Sequence, residues 1–329
     1  MEKILRFIKD WMLAFAIITG AAAYLCYSHF SVFDPMRPYA SDAVAVIQPT
    51  LLFMMLFLSF CKVDPHQLRF HRWHLWLLII QCGLFAVLGV ALWFFQQLDA
   101  IWRIAIESAM ICLICPTATA AAVVTDKLGG NVAGIVTYTM LINIATALLV
   151  PLIVPIIHVE GAHYAFGTMF WMILSRVVPM LVFPLLLAWL VRYAMPRFHA
   201  LLLKPRNLAF YLWCVGLSIA IAVSTRSLLK SPHGWLMASI IAVISFVCCI
   251  FQFKAGHRIG RNYAISRKTD DKTIEISQIT AGQALGQKNT IFIIWVAYTF
   301  FDPVSSLAGG FYSIWHNIYN SWQLSKVRK

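Results

Sequence analysis

Ten apolar stretches, each close to the length of a bilayer crossing, constrain this chain more than any other feature. They fall at 11–30, 43–61, 73–95, 104–126, 131–157, 167–191, 207–229, 233–253, 273–300 and 303–323. A helix needs about 20 predominantly apolar residues to cross the hydrocarbon core. Only helices and closed barrels satisfy their own backbone there. Charged residues make up 12% of the 329, against about 25% in soluble domains. Too little charge remains to clothe a water-facing surface, which excludes soluble globular, disordered and collagen-like folds. The chain therefore reads as an all-α membrane protein with ten transmembrane helices. Lys3, Arg6 and Lys9 ahead of Trp11 resemble the start of a signal peptide. The apolar run behind them is too long for one, whose core is about 7–15 residues, so it is expected to be kept as the first helix.

A net charge of +13 would suggest nucleic acid in a soluble protein. Here the basic residues sit in the connections. Twenty Lys and Arg, including both terminal segments, fall on one side of the ten spans, and only Arg37, Arg103, Arg226 and Lys230 fall on the other. By the positive-inside rule both termini are cytoplasmic, and the expected location is the bacterial inner membrane. The basic run 254–272 reads as a cytoplasmic loop attracted to anionic lipid, with no nucleic-acid partner. The eight cysteines lie mostly in apolar runs and read as small core residues. Cys112 and Cys115 form a CxxC inside one of those runs, where redox or zinc chemistry is disfavoured.

The fourth and ninth spans differ from the rest. Pro116 stands in the middle of the fourth, followed by a run of small residues, and a proline there removes a donor and breaks the helix. The ninth carries Gly282, Gly286 and the polar group Gln287, Lys288 and Asn289 at its centre. These are the fourth members of two five-helix halves, 1–160 and 161–329. Interrupted helices at matching places in two halves point to a transporter binding site. Because five is odd, the second half is inverted, so the two broken helices can cross near the midplane. Their half-helix N-termini would then offer positive dipole ends to an anion.

At these residues the chain resembles the bile acid:sodium symporter family. The likeness lies in Cys115-Pro116-Thr117-Ala118-Thr119-Ala120, close to Cys-Pro-Gly-Gly-Thr-Ala, and in Gly286-Gln287-Lys288-Asn289, close to Gly-Met-Gln-Asn. It extends to Trp315-His316-Asn317 and to Gln81, which stands where the family has a sodium-site glutamine. The resemblance implies two inverted repeats, with a core domain of spans 3–5 and 8–10 moving against a panel domain of spans 1, 2, 6 and 7. It also implies uptake of an organic anion, with Thr119, Asn289 and His316 on the substrate side.

The departures concern sodium. Family positions that supply oxygen ligands are Ala121, Ala122, Ala284 and Ile135 here, and the glutamine of Gly-Met-Gln-Asn is Lys288; Thr139 and Gln81 are retained. Methyl groups coordinate no cation and an ammonium repels one. The family's two-sodium coupling is therefore expected to be lost. No other cofactor and no metal is implied, and a proton is the alternative coupling ion.

Lys288, beside Gln287, has two readings: a fixed counter-charge for the substrate anion, or a structural lysine that pairs with a helix C-terminus or snorkels away. As a counter-charge it either stays protonated or releases its proton when substrate leaves, which would couple transport to protons. Thr119, Asn289 and His316 can hydrogen-bond a carboxylate or serve as polar glue between helices. Arg176 lies within the sixth span, where substrate contact, a buried ion pair and a cavity lining all remain open. Glu107 pairs with Arg103 four residues before it or carries a proton. His71 and His74 read as interfacial anchors. A channel and an intramembrane enzyme are the other function classes. No GxSxG, HExxH or paired-Asp signature lies in a span, and matched broken helices fit alternating access better than a filter. Bile acids and pantoate-like or pyruvate-like acids are all open as substrates, as is a remodelled sodium site.

Overall fold

The structure, a computed structural model, describes residues 12–157, 165–205, 208–231 and 234–327. Lys3, Arg6, Lys9 and Trp11 lie outside that set, as do three of the twenty Lys and Arg on the basic side, Arg206, Arg328 and Lys329. Among the described residues the chain is helix and turn, with no strand beyond one isolated bridge.

In chain order the helices are α1 (Met12–His29), α2 (Arg37–Cys61), α3 (Arg72–Phe94), α4 (Ala100–Ile114), α5 (Ala121–Lys127), α6 (Val132–Ile157) and α7 (Phe166–Leu181). They continue with α8 (Phe183–Ala194), α9 (Pro196–Leu203), α10 (Leu208–Lys230), α11 (Gly234–Ser266), α12 (Asp271–Gly286), α13 (Thr290–Phe300) and α14 (Leu307–Val327). Among the described residues six segments are long and apolar enough to cross a membrane: Ser31–Cys61, Arg72–Phe94, Val132–Ile157, Phe166–Ala194, Tyr211–Lys230 and Gly234–Ser266. The expected fourth and ninth spans are each two pieces, α4 with α5 and α12 with α13, of 15, 7, 16 and 11 residues. At 1.5 Å per residue none of the four reaches across a core about 30 Å thick. The last, α14, is diluted by Asn317, Asn320 and Gln323.

One expectation needs correction. The basic run from 254 is no loop as far as Ser266, because α11 continues through Lys254, Arg258 and Arg261 before the chain turns at Lys268 with φ 54°. The sixth stretch, 167–191, lies within the membrane-length segment Phe166–Ala194, which consists of two helices joined at Val182, the second starting at Phe183 with Pro184 in its first turn. A proline is tolerated in a first helical turn, where its missing N–H would have no partner anyway.

The extra length of α11 has a packing cause. Gly256 and Gly260, one turn apart, face the backbone of α12; a Cβ on them would stand 2.4 Å from the Ala281 oxygen and 2.2 Å from the Ser277 oxygen. From α12, Gly282 and Gly286 receive the His257 ring and the Phe253 ring in return. Small residues at four-residue spacing let two helix backbones approach closely. The two glycines that read as interruption signals thus serve contact as well. Elsewhere α10 packs on α1 and α2, α2 on α8, α3 on α4 and α6, and α11 on α4 and α14.

Candidate functional site

Helix α4 stops at Ile114 because Pro116 offers no N–H to continue it, and Cys115 turns to φ −51°, ψ 133°. Helix α12 stops at Gly286, and Gln287 is extended at ψ 117°. The two extended segments meet. Thr117 and Lys288 form an antiparallel bridge, Asn289 N donates to Pro116 O at 2.9 Å, and Ala118 N donates to Gln287 O at 3.0 Å. Asn289 then starts α13 as its N-cap, its Oδ1 accepting from Phe292 N at 3.3 Å. Cys115 Sγ donates to the Asn289 carbonyl at 3.0 Å.

A helix end leaves carbonyls without intrahelical partners. At the end of α4, Lys288 Nζ donates to Leu113 O at 3.4 Å. Gln81 Nε2 donates to Ile114 O and Cys115 O at 3.0 and 2.8 Å, and Thr146 Oγ1 also reaches Ile114 O, at 3.0 Å. The remaining polar atom of Gln81, Oε1, accepts from the Tyr138 hydroxyl at 2.7 Å. At the end of α12, Tyr312 OH donates to Gly286 O at 2.8 Å and accepts from Gln252 Nε2 at 3.0 Å, while Thr117 Oγ1 donates to Ala284 O at 2.7 Å. Side chains of this chain therefore hold the negative dipole ends of both short helices. Lys288 and Gln81 are buried, at 0% and 1% exposure.

Next to this polar seam lies hydrocarbon. Ala121, Ile135 and Ala284 are fully buried in one apolar cluster with Leu77, Tyr138 and Leu285, and Ala122 packs against it. The hydroxyl of Thr139 turns back to the Ile135 carbonyl of its own helix at 2.9 Å.

Of the substrate-side candidates, Asn289 belongs to the crossing. His316, 7% exposed, lies edge-on to Tyr312 with ring centroids 5.7 Å apart, and its Nδ1 has no hydrogen-bond partner among the described residues. Thr119 is half-buried two residues beyond the bridge. No hydrogen bond joins these three to one another among the described residues. Sequence reasoning missed Tyr138, Thr146, Gln252 and Tyr312. The available signal was their polarity inside the apolar stretches.

The other ionisable groups resolve as follows. Glu107, 1% exposed, pairs with Arg103 at 3.4 Å and accepts from Asp302 N at 3.0 Å and Ser305 Oγ at 3.4 Å. Arg103 donates in turn to the last carbonyl of α6, Ile157 O. One carboxylate thus ties α4 to the turn before α14. Glu107→Ala strands the Asp302 amide and is expected to cost about 1–3 kcal/mol, while Glu107→Gln, which keeps an acceptor, costs less. Thermal unfolding in detergent compares the two. Arg176 is exposed, not in a buried ion pair. His71 and His74 close the start of α3, with His71 N donating to His74 Nδ1 and His74 Nε2 meeting Gly134 O, both at 3.0 Å. The eight cysteines are free.

A sequence profile described as the sodium bile acid symporter family matches residues 49–231. That stretch runs from within α2 past the end of α10 and includes Gln81, Pro116 and Thr119, but not Lys288. No curated protein matches the chain.

Proposed function

Because the chain belongs to the sodium bile acid symporter family, whose members are membrane transporters and not enzymes, we propose that it moves an organic anion by alternating access without the two sodium ions usual in that family. It is an integral membrane protein; both termini are assigned to the cytoplasm and the membrane to the bacterial inner membrane, on the asymmetry of Lys and Arg. The observation that carries the proposal is the apolar cluster of Ala121, Ile135 and Ala284. A cation that loses its water needs oxygens in return, and methyl groups supply none.

The oxygens that remain nearby are engaged by the chain's own donors. The Ile114 and Cys115 carbonyls receive Gln81 and Thr146, and the Gln81 oxygen receives Tyr138. Lys288 reaches the same helix end, so a covalent amine stands where an ion would otherwise meet the dipole. Both readings of Lys288 then describe one side chain. It holds the α4 terminus, and as an ammonium it is the counter-charge an anion needs at midplane. Its proton is proposed to be taken up with substrate and released afterwards, which avoids carrying an uncompensated charge through the bilayer. Thr119, Asn289 and His316 are proposed to contact the anion, with Gln287 supporting the crossing through its carbonyl.

Ten spans in two inverted halves find support in paired side chains. Gln81 of the third span bonds Tyr138 of the fifth, and Gln252 of the eighth bonds Tyr312 of the tenth; each pair reaches the end of a short helix. The packing of α1, α2, α8 and α10 supports a panel, and that of α3, α4, α6, α11, α12 and α14 supports a core.

The test is uptake of labelled bile acid, pantoate and pyruvate into proteoliposomes, with sodium exchanged for potassium or choline. Saturable uptake of at least one acid is expected, with an affinity that changes less than tenfold between cations. A sodium-specific gain of tenfold or more, about 1.4 kcal/mol, overturns the reading.

A further inference from the structure

A second feature lies away from the crossing, where α3 begins and α11 ends. A cavity of about 730 Å³ opens there, lined by Arg72, Trp76, Asn262, Tyr263, Ser266 and Arg267. Arg72 is the first residue of α3 and Arg267 follows the last residue of α11, so the cavity is held between two helix ends of the same domain. We infer that this cavity is a binding site for a phosphate-ester headgroup of net negative charge at the membrane boundary.

The cavity carries unbalanced positive charge. Both arginines are exposed, and neither has a carboxylate within ion-pair distance among the described residues. Asp270, the first acidic residue after Arg267 in the sequence, accepts from the Thr273 hydroxyl on the following helix. Arg267 lies over the Tyr263 ring, 5.6 Å from its centroid, which limits where its fork can point. The positive field extends to a neighbour. His71 titrates below its ordinary value, first because it is partly buried and then because Arg267 and Arg69 stand close by.

Like charges gathered in one cavity repel, and an anion relieves the repulsion. The type of anion follows from the donors. Two guanidinium forks suit the oxygens of a phosphate, which they bind in bidentate fashion. Asn262 adds a neutral donor at the same wall, while the Ser266 hydroxyl is already given to the Tyr263 carbonyl at 2.7 Å. The remaining wall is apolar and amphipathic, with Ile259 and a Trp76 that is 57% exposed. Tryptophan placed this way is characteristic of headgroup depth in a bilayer. A phosphate ester whose carbon side rests on Trp76 and Ile259 uses both walls, which an inorganic ion cannot. A phospholipid and a soluble phosphate share the chemistry, and the assay separates them.

The experiment is native mass spectrometry of the purified full-length protein, titrated with phosphatidylglycerol, phosphatidylcholine or inorganic phosphate. It is run on wild type, on Arg72→Gln/Arg267→Gln and on Lys326→Gln. Lys326 is a basic residue elsewhere, stacked over Trp322. Phosphatidylglycerol is expected to bind wild type at least tenfold more tightly than the double variant, with phosphatidylcholine unaffected and Lys326→Gln like wild type. Binding of inorganic phosphate with the same arginine dependence and equal strength would assign the site to a soluble phosphate ester. Equal retention by wild type and the double variant, or equal loss in Lys326→Gln, overturns the inference, since binding would then be diffuse attraction to a basic surface. Arg267→Lys, which keeps the charge and loses the fork, should fall between the two. A matched melting temperature verifies that each variant is folded. The readout is occupancy rather than uptake, so it succeeds or fails independently of the transport reading.

Discussion

Lys288→Met is expected to reduce saturable anion uptake by roughly 30-fold or more, the range set by losing one partner of a buried charged pair, while the protein still folds. Methionine has nearly the volume and flexibility of the lysine stem, so the fully buried site stays filled. What disappears is the donor to Leu113 O and the positive charge. The lost hydrogen bond alone is worth about 1 kcal/mol, partly offset because a buried amine no longer has to be desolvated. Stability should therefore change little and transport much. Lys288→Gln restores the residue seen in the resembling family and should not rescue uptake, because no carboxylate accompanies it at position 284. Adding Ala284→Glu to Lys288→Gln supplies that group. Uptake under an imposed pH gradient separates the remaining roles. Wild type is expected to respond to the gradient and Lys288→Met not to. Equal rates in the two proteins would reduce Lys288 to a holder of the α4 terminus.

The largest expected effect on stability lies at the contact of α11 with α12. In Gly260→Ala the new methyl would stand 2.2 Å from the Ser277 oxygen and 2.8 Å from its carbonyl carbon; in Gly256→Ala it would stand 2.4 Å from the Ala281 oxygen. The obstacle is backbone and cannot rotate away, so the helices must separate. Overpacking of this kind costs about 1–3 kcal/mol per site, and the two sites should not add, since one displacement relieves both. Gly83→Ala is the control. It lies in α3 with nothing within 4 Å of the added carbon, and it should be neutral or stabilising by up to about 1 kcal/mol. Thermal unfolding of the three variants in one detergent decides the matter. Because α12 leads directly into the crossing at Gln287–Asn289, the two destabilised variants should also lose uptake at temperatures where they remain folded.

The helical, membrane-spanning character of this chain was legible in its sequence, since burial in lipid demands long apolar runs whatever the arrangement of helices. Pro116 likewise announced the end of α4, because a missing N–H acts locally. Four-residue spacing offered the ion pair of Glu107 with Arg103 as one of two readings, and the structure holds that pair. Gly256 and Gly260 illustrate the limit. Their spacing is visible in the sequence, but their meaning depends on the approach of α12, at Ala281, twenty-five residues beyond Gly256, and at Ser277, seventeen beyond Gly260.

The crossing shows the same division. That Ala121, Ile135 and Ala284 lack oxygens is a property of the residues. That they lie in one cluster depends on how four segments of chain come together. Lys288 is separated from Leu113 by 175 residues and Gln81 from Cys115 by 34, so no local rule could assign those donors to those carbonyls. The sequence by itself determined that the chain is helical and membrane-spanning and that α4 ends ahead of Pro116, because solvation and backbone bonding act over a few residues; the run of α11 to Ser266 was not legible in it. Only the tertiary structure decided which side chains meet the broken ends, because an orphan carbonyl takes whichever donor the packed helices bring within about 3 Å.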